Sequence, residues 1–344
     1  MQRLLTLVGM YRCLAFVIFS SWVAFAAWVE DYTITHYDPD RVFPGVTLLA
    51  DMSNPRFPKV VEVDFKGKVL WKYEPANVGR GAILDAAYLD NNHILITITD
   101  YGIQEIDRSG KIIWQHLDSG ASHDADRLAN GNTLYNLGWR RKGEDVVREV
   151  TPDGRLVWSW NGVADYDRPP YADIDSEGWM HVNSVTRLEN GNTLVSMRNF
   201  NTVAEISPEG RVVKEWTFQG KDQRTGVQTE GKIAGERNHE PEILDNGHML
   251  LALRRPNRFV EFDPATQEVV WSWSHPGGER ELDLNREANR LPNGNTLGSA
   301  GNKLIEIAPD GTIVWQMMAP GGDRNPRKFH KAIRRGSDGK AYGG

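Results

Sequence analysis

Histidine is scarce in this chain, nine residues among 344, yet four of the nine, His123, His181, His239 and His330, fall at one recurring place. A neutral imidazole near pH 7 can attack an electrophile, move a proton or bind a metal. His123 and His239 each stand five residues before a leucine, in HDADRL and HEPEIL. Arg286 holds that place in REANRL and Leu84 in an earlier copy. In HVNSVTRL the place belongs to Asn183, with His181 two residues earlier, and His330 opens HKAIRRGSDGK. Residues i and i+2 of a strand share a face, so His181 and Asn183 are both expected to point the same way. Arg198 (LVSMRNFN) and Arg254 (LLALRRPN) follow two of these openings. Arginines beside neutral imidazoles suit an oxyanion better than a cation. A zinc or iron site would instead recruit the adjoining carboxylates Asp124, Asp126, Glu240 and Glu242, which keeps metal chemistry open.

One histidine alone is ordinarily structural; convergence of several is what signals a site. The chain supplies a scaffold for convergence. Five near-copies of one phrase begin at Leu89, Leu128, Leu188, Leu244 and Leu291, each followed by a turn and an apolar run ending in tryptophan. Steps of 39, 60, 56 and 47 residues between these leucines match one four-stranded propeller blade. Apolar residues alternate, as in Lys303-Leu304-Ile305-Glu306-Ile307, which is a strand period. Asn-Gly and Asp-Gly pairs supply the positive φ angles of tight hairpins. The tryptophan ending occurs a sixth time, at Trp71, without its opening phrase, and HKAIRRGSDGK resembles the missing piece. The expectation is an all-β, six-bladed propeller, its last strand completing the blade begun by residues 45 to 73 and leaving no free sheet edge. The first strand of each blade lines the channel, so the histidines share one cavity.

Around this body, composition is that of one large globular domain with formal net charge −6 and no basic run, which argues against nucleic acid as a partner. Arg3 and Arg12 precede an uncharged stretch from Cys13 to Val29. Residues 1–29 therefore read as a signal peptide or membrane anchor and the body as exported, periplasmic or held at the outer face of the cytoplasmic membrane. Residues 30–44 read as a linker, and 45–344 as the propeller. The sole cysteine, Cys13, leaves the body without disulfide or thiolate metal site.

HDADRLANGNTL, WMHVNSVTRLENGNTLVSMRN and HEPEILDNGHMLLALR together resemble the bacterial arylsulfate sulfotransferases that use no nucleotide sulfate donor. The resemblance runs from about residue 45 to the carboxyl terminus, most specifically in His181-x-Asn183 and Arg198. It implies six blades and a sulfuryl group moved from one phenol to another through a sulfated histidine. His239 is the implied nucleophile, with His123, His181, Asn183 and Arg198 gripping the sulfate; Arg254, Arg286 and His330 complete the substrate site. The implied partners are a small aryl sulfate donor and a phenolic acceptor, without cofactor. Trp139, Trp179, Tyr166 and Tyr171 are candidates to stack a planar phenol, and His123 or His181 to give the leaving phenolate a proton. The chain lacks the separate amino-terminal β domain of the best-known members, so oligomeric state is open.

Other motifs fail. Gly226 to Lys232 matches a phosphate loop until Ile233 replaces the required Ser or Thr, and Asp173 to Gly178 starts a calcium loop that reaches Ser184 where Glu is needed. No Gly-x-Ser-x-Gly elbow occurs. The alternatives to sulfuryl transfer are a non-catalytic binding propeller, since fold alone does not fix activity, and a metal-dependent hydrolase or lyase built on the same histidines.

Overall fold

The computed structural model describes residues 32–76, 81–320 and 328–343; the signal or anchor segment, 1–29, lies outside them. Six antiparallel sheets, four of four strands and two of five, ring a central channel. Blade 2 is representative: Ile83–Tyr88 innermost, then Ile94–Ile98, Gly102–Ile106 and Ile112–Leu117 outermost. The inner strands of blades 3 to 6 are Ala125–Arg127, Val182–Arg187, Glu236–Ile243 and Glu287–Arg290.

Each recurring phrase folds into the same turn for a local reason. Gly131, Gly191, Gly247 and Gly294 sit at φ between 81° and 86°, where a side chain is strained, and Asn92 takes the same left-handed place at φ 64° in LDNNHIL. The asparagine ahead of each glycine keeps negative φ and acts through its side chain: Asn130 Oδ1 accepts the Asn132 N–H at 2.9 Å, and Asn190, Asn246 and Asn293 repeat the bond.

Blade 1 is shared by the two ends of the chain. Phe329–Gly336 pairs antiparallel with Gly45–Asp51 on the channel side and completes the blade, as the repeat count predicted, with the two-residue strand Ala341–Tyr342 paired to its far edge. The stretch read as a linker is not all linker: Thr33–Tyr37 pairs with Ile313–Met318 and adds a fifth strand to the rim of blade 6. Its alternation, TITHY, was too short and too polar to be recognised as a strand.

Tryptophans join neighbouring blades. The indoles of Trp71, Trp114, Trp158, Trp216, Trp273 and Trp315 donate to carbonyls of Arg108, Pro152, Pro208, Pro264, Gly311 and Phe65 in the next blade, at 2.7–2.9 Å. The last bond closes the circle from blade 6 to blade 1. Around the channel, buried carboxylates repeat this stitching: Asp124 Oδ2 accepts Val185 N–H at 2.7 Å, Glu242 Oε2 accepts Arg290 N–H at 3.0 Å and Glu287 Oε2 accepts Ala332 N–H at 2.5 Å. Lys331 sits among them, 1% exposed, its Nζ 2.5 Å from Asp124, 2.9 Å from Glu240 and 3.5 Å from Asp85. Burial opposes its charge, but four surrounding carboxylates outweigh that and hold the ammonium well above the usual lysine range. An ammonium thus stands where a metal would need Asp124 and Glu240. Among the described residues, no three His, Cys, Asp or Glu side chains group as metal ligands.

Candidate active site

Each inner strand begins at the same end of the channel, and the residues at those starts come together. Leu84, His123, His181, His239, Arg286 and His330, one from each blade, line a single cavity of about 430 Å³, with Arg198 and Arg254 from adjoining hairpins. The His123 ring lies 5.2 Å from His181 and 5.4 Å from His330, centroid to centroid. Every one of the four imidazoles is at most 5% exposed.

Asn183 does not join them. The left-handed φ of 51° at His181 and a register shift between Val182 and Ser184 break the two-residue alternation. Asn183 Nδ2 instead donates to the Asn238 carbonyl of the next blade at 2.8 Å. Its place is therefore inter-blade, not substrate-facing.

Hydrogen bonds fix how the imidazoles present themselves. His239 Nδ1 meets the Arg237 carbonyl at 2.9 Å. A carbonyl only accepts, so Nδ1 carries the proton and Nε2 is left with a lone pair. His181 Nδ1 likewise donates to the Glu177 carbonyl at 2.8 Å, and its Nε2 accepts from Arg198 Nη1 at 3.3 Å. That bond excludes His181 as a proton donor. His123 is held differently: its Nδ1 pairs with the buried Ser122 hydroxyl, a group that can donate or accept, and with the hydroxyl donating the ring proton sits on Nε2. Gly138 makes room for this pair, since a Cβ there would come within 2.5 Å of Ser122 Oγ and 2.9 Å of His123 Nδ1.

Burial drives all four pKa values well below 6.5, and nearby cations add to it: Arg254, Arg198 and Arg286 at His239; His181, Arg198 and Arg286 at His123; Arg198, Arg254 and Arg224 at His181; Arg286 and other imidazoles at His330. The cluster is neutral at physiological pH. Against it stand five lining guanidiniums, of Arg198, Arg224, Arg237, Arg254 and Arg286. Glu177 pairs with both Arg198 and Arg224. Asp222 grips Arg237 at 2.5 Å and 3.0 Å. Arg286 donates to the Phe329 carbonyl at 2.6 Å. Arg254 has neither hydrogen bond nor ion pair among the described residues, and burial and three other arginines disfavour its charge. An incoming anion relieves that deficit.

The opposite wall is apolar, made by Met52, Pro55, Pro58, Leu84 and Leu284, with the Trp139 ring 4.8 Å from His123. Of the four aromatics expected to stack a phenol only Trp139 lines the cavity. Tyr166, Tyr171 and Trp179 pack with Phe200 in the core between blades 3 and 4, because the segment carrying them folds back over that interface.

Residues 32–223 match the model of the arylsulfotransferase (ASST) family. The chain belongs to this family. The match takes in His123, His181 and Arg198; His239 and His330 fall beyond it. No curated protein sequence matches the chain. Its architecture is similar to that of a protein of unknown function from Bacteroides caccae, at TM-score 0.58 and 18% identity over 84% of this chain and 98% of that one. It is also similar to a catalytically inactive virginiamycin B lyase from Staphylococcus aureus with quinupristin, at TM-score 0.53 and 10% identity over 91% of this chain and 98% of that one. Such low identities speak to fold alone.

Three residues at the cavity were passed over in the sequence. Arg224 and Arg237 reach the cavity from a small hairpin insertion, Gly220–Lys221 paired with Gln228–Thr229, and from the strand after it. Glu177 was visible only as part of a failed calcium loop. The insertion's place in space was not written in the repeat, so its arginines carried no signal of their own.

Proposed function

We propose that this arylsulfotransferase moves a sulfuryl group between phenols by a ping-pong route through sulfated His239. The observation that carries the reading is the His239 tautomer: a buried neutral ring, its Nδ1–H engaged by the Arg237 carbonyl and its Nε2 lone pair free, in an arginine-lined cavity. Nε2 attacks sulfur, the S–O bond to the aryl group breaks, and the phenolate departs. Sulfuryl transfer, like phosphoryl transfer, spreads charge over three equatorial oxygens, which Arg254 and Arg198 stabilise. His123 Nε2–H hydrogen-bonds the departing oxygen as a neutral donor, since its depressed pKa leaves no imidazolium to give a proton. The acceptor then enters and gives its phenolic proton to solvent water, its ionisation favoured by the cationic cavity, and its oxygen attacks sulfur; the N–S bond breaks and neutral His239 is restored. The acceptor's proton balances the phenolate released in the first half.

Intact mass after incubation with 4-nitrophenyl sulfate alone tests this: the protein gains about 80 mass units as a covalent sulfo group, and His239→Ala gains none and transfers nothing. Unchanged turnover in His239→Ala, or no adduct on a turning-over enzyme, refutes the nucleophile. Turnover that survives chelator is expected. The export reading of residues 1–29 places this chemistry outside the cytoplasm, and fractionation of the full chain checks it.

A further inference from the structure

A second cavity adjoins the first. It has a volume of about 580 Å³, and Arg237 and Arg254 line both. It lies between the insertion hairpin of blade 4 and the loops of blade 5, and consecutive residues straddle the boundary: Leu284 faces the central cavity, Asp283 the side one. Nothing in the transfer steps above uses it.

Its lining differs in kind from that of the central cavity. No aromatic and little apolar surface contributes; Glu236, Asn257, Asp283 and Arg255 do. Two acceptor atoms in it are buried without a partner. Glu236 Oε1 accepts the Lys221 N–H at 2.9 Å, but Oε2 accepts nothing. Asn257 Nδ2 donates to the Glu279 carbonyl at 3.1 Å, while Oδ1 accepts nothing. A buried acceptor left unmade costs free energy, and two on one cavity wall call for a ligand with hydrogen-bond donors. The guanidiniums of Arg237, Arg254 and Arg255 are matched on the wall by the carboxylates of Glu236, Glu279 and Asp283, so the lining favours a neutral ligand over an ammonium or an anion. A hydroxyl both donates to Glu236 and Asn257 and accepts from Arg255.

We infer that the side cavity binds a hydroxyl-rich, glycosyl-type substituent of the phenol whose ring lies against Leu284 and whose oxygen reaches His239. This deepens the sulfuryl-transfer reading and rests on it: the substrates are phenolic glycosides rather than bare phenols.

Calorimetric titration of the full protein with 4-hydroxyphenyl β-D-glucopyranoside, 4-methoxyphenol and tyramine tests the inference without requiring turnover. The first two share a para-alkoxy phenol and differ in the sugar. The glucoside is expected to bind about tenfold more tightly, the worth of two added hydrogen bonds. In the double variant Glu236→Ala, Asn257→Ala the two dissociation constants converge. Equal constants in the wild type overturn the proposal, and so does tyramine binding as tightly as the glucoside. Sulfuryl transfer to each phenol, measured alongside, reports separately on the chemistry: absence of transfer with a retained sugar preference sinks the ping-pong reading and leaves the subsite, while transfer without preference does the reverse.

Discussion

Lowering the pH separates this active site from one built on ordinary imidazoles. His239 is 2% exposed, and burial, then Arg254 and Arg198, push its pKa well below 6.5. A nucleophile must be neutral, so the fraction of reactive enzyme follows that pKa. With an unperturbed value of about 6.5, the neutral fraction would fall from about 91% at pH 7.5 to about 9% at pH 5.5, a tenfold loss. With the depressed value the loss is smaller and is displaced to lower pH. In a ping-pong scheme kcat/KM for the donor reports only the first half-reaction of the free enzyme, so the acceptor's ionisation does not intrude. The assay is initial rates of 4-nitrophenol release at donor concentrations well below KM, phenol as acceptor, samples quenched at alkaline pH before reading. Circular dichroism at each pH verifies that the fold persists. A fall well short of tenfold between pH 7.5 and 5.5 is expected. A tenfold fall with intact fold would mean that His239 titrates as a solvated imidazole and that the desolvation argument is wrong.

Three further outcomes are expected. Arg254→Ala removes the one lining arginine without a partner among the described residues, and loss of a charge-assisted hydrogen bond of about 1.5–3 kcal/mol lowers kcat/KM for aryl sulfates about 10- to 150-fold; steady-state kinetics with an unchanged constant would refute its role as the anion's counter-charge. Ser122→Ala frees the His123 tautomer, so phenyl sulfate, a poor leaving group, loses more rate than 4-nitrophenyl sulfate; equal losses across a leaving-group series would remove His123 from that role. Lys331→Met strands buried carboxylates and costs about 3–5 kcal/mol, lowering the melting point by about 5–8 °C. Burial raises Asp85 to about 6 and Glu287 to about 7, with Lys331 opposing both rises. Without the lysine those values rise further, and a carboxyl with folded pKa above its unfolded one binds more protons when folded, so stability falls as pH rises through that range. The deficit of the variant should therefore grow from pH 5 to pH 8; thermal melts showing the opposite slope would contradict the hub.

The ring was legible because its determinants are local. A leucine, an asparagine that caps its own turn and a glycine at positive φ recur wherever a blade begins its second strand, and tryptophan recurs where it ends its fourth. From that period the gathering of His123, His181, His239, Arg286 and His330 followed without further information. What failed was whatever depended on irregular backbone. Strand parity put Asn183 beside His181, and a single left-handed residue undid it. Tyr166, Tyr171 and Trp179 sit in a segment outside the repeat, where composition could not tell a stacking platform from a core. Arg224 and Arg237 depended on where an insertion folds.

The strand Phe329–Gly336 carries both His330 and Lys331 and also seals the ring. On a ribosome it emerges after every other histidine and arginine of the cavity, when five blades can already have formed. Until then the acidic channel has no counter-ion and Gly45–Asp51 shows an open edge. Chains that stop short of this strand should then be inert and prone to edge-to-edge association, so that competence arrives all at once, when the strand pairs with Gly45–Asp51.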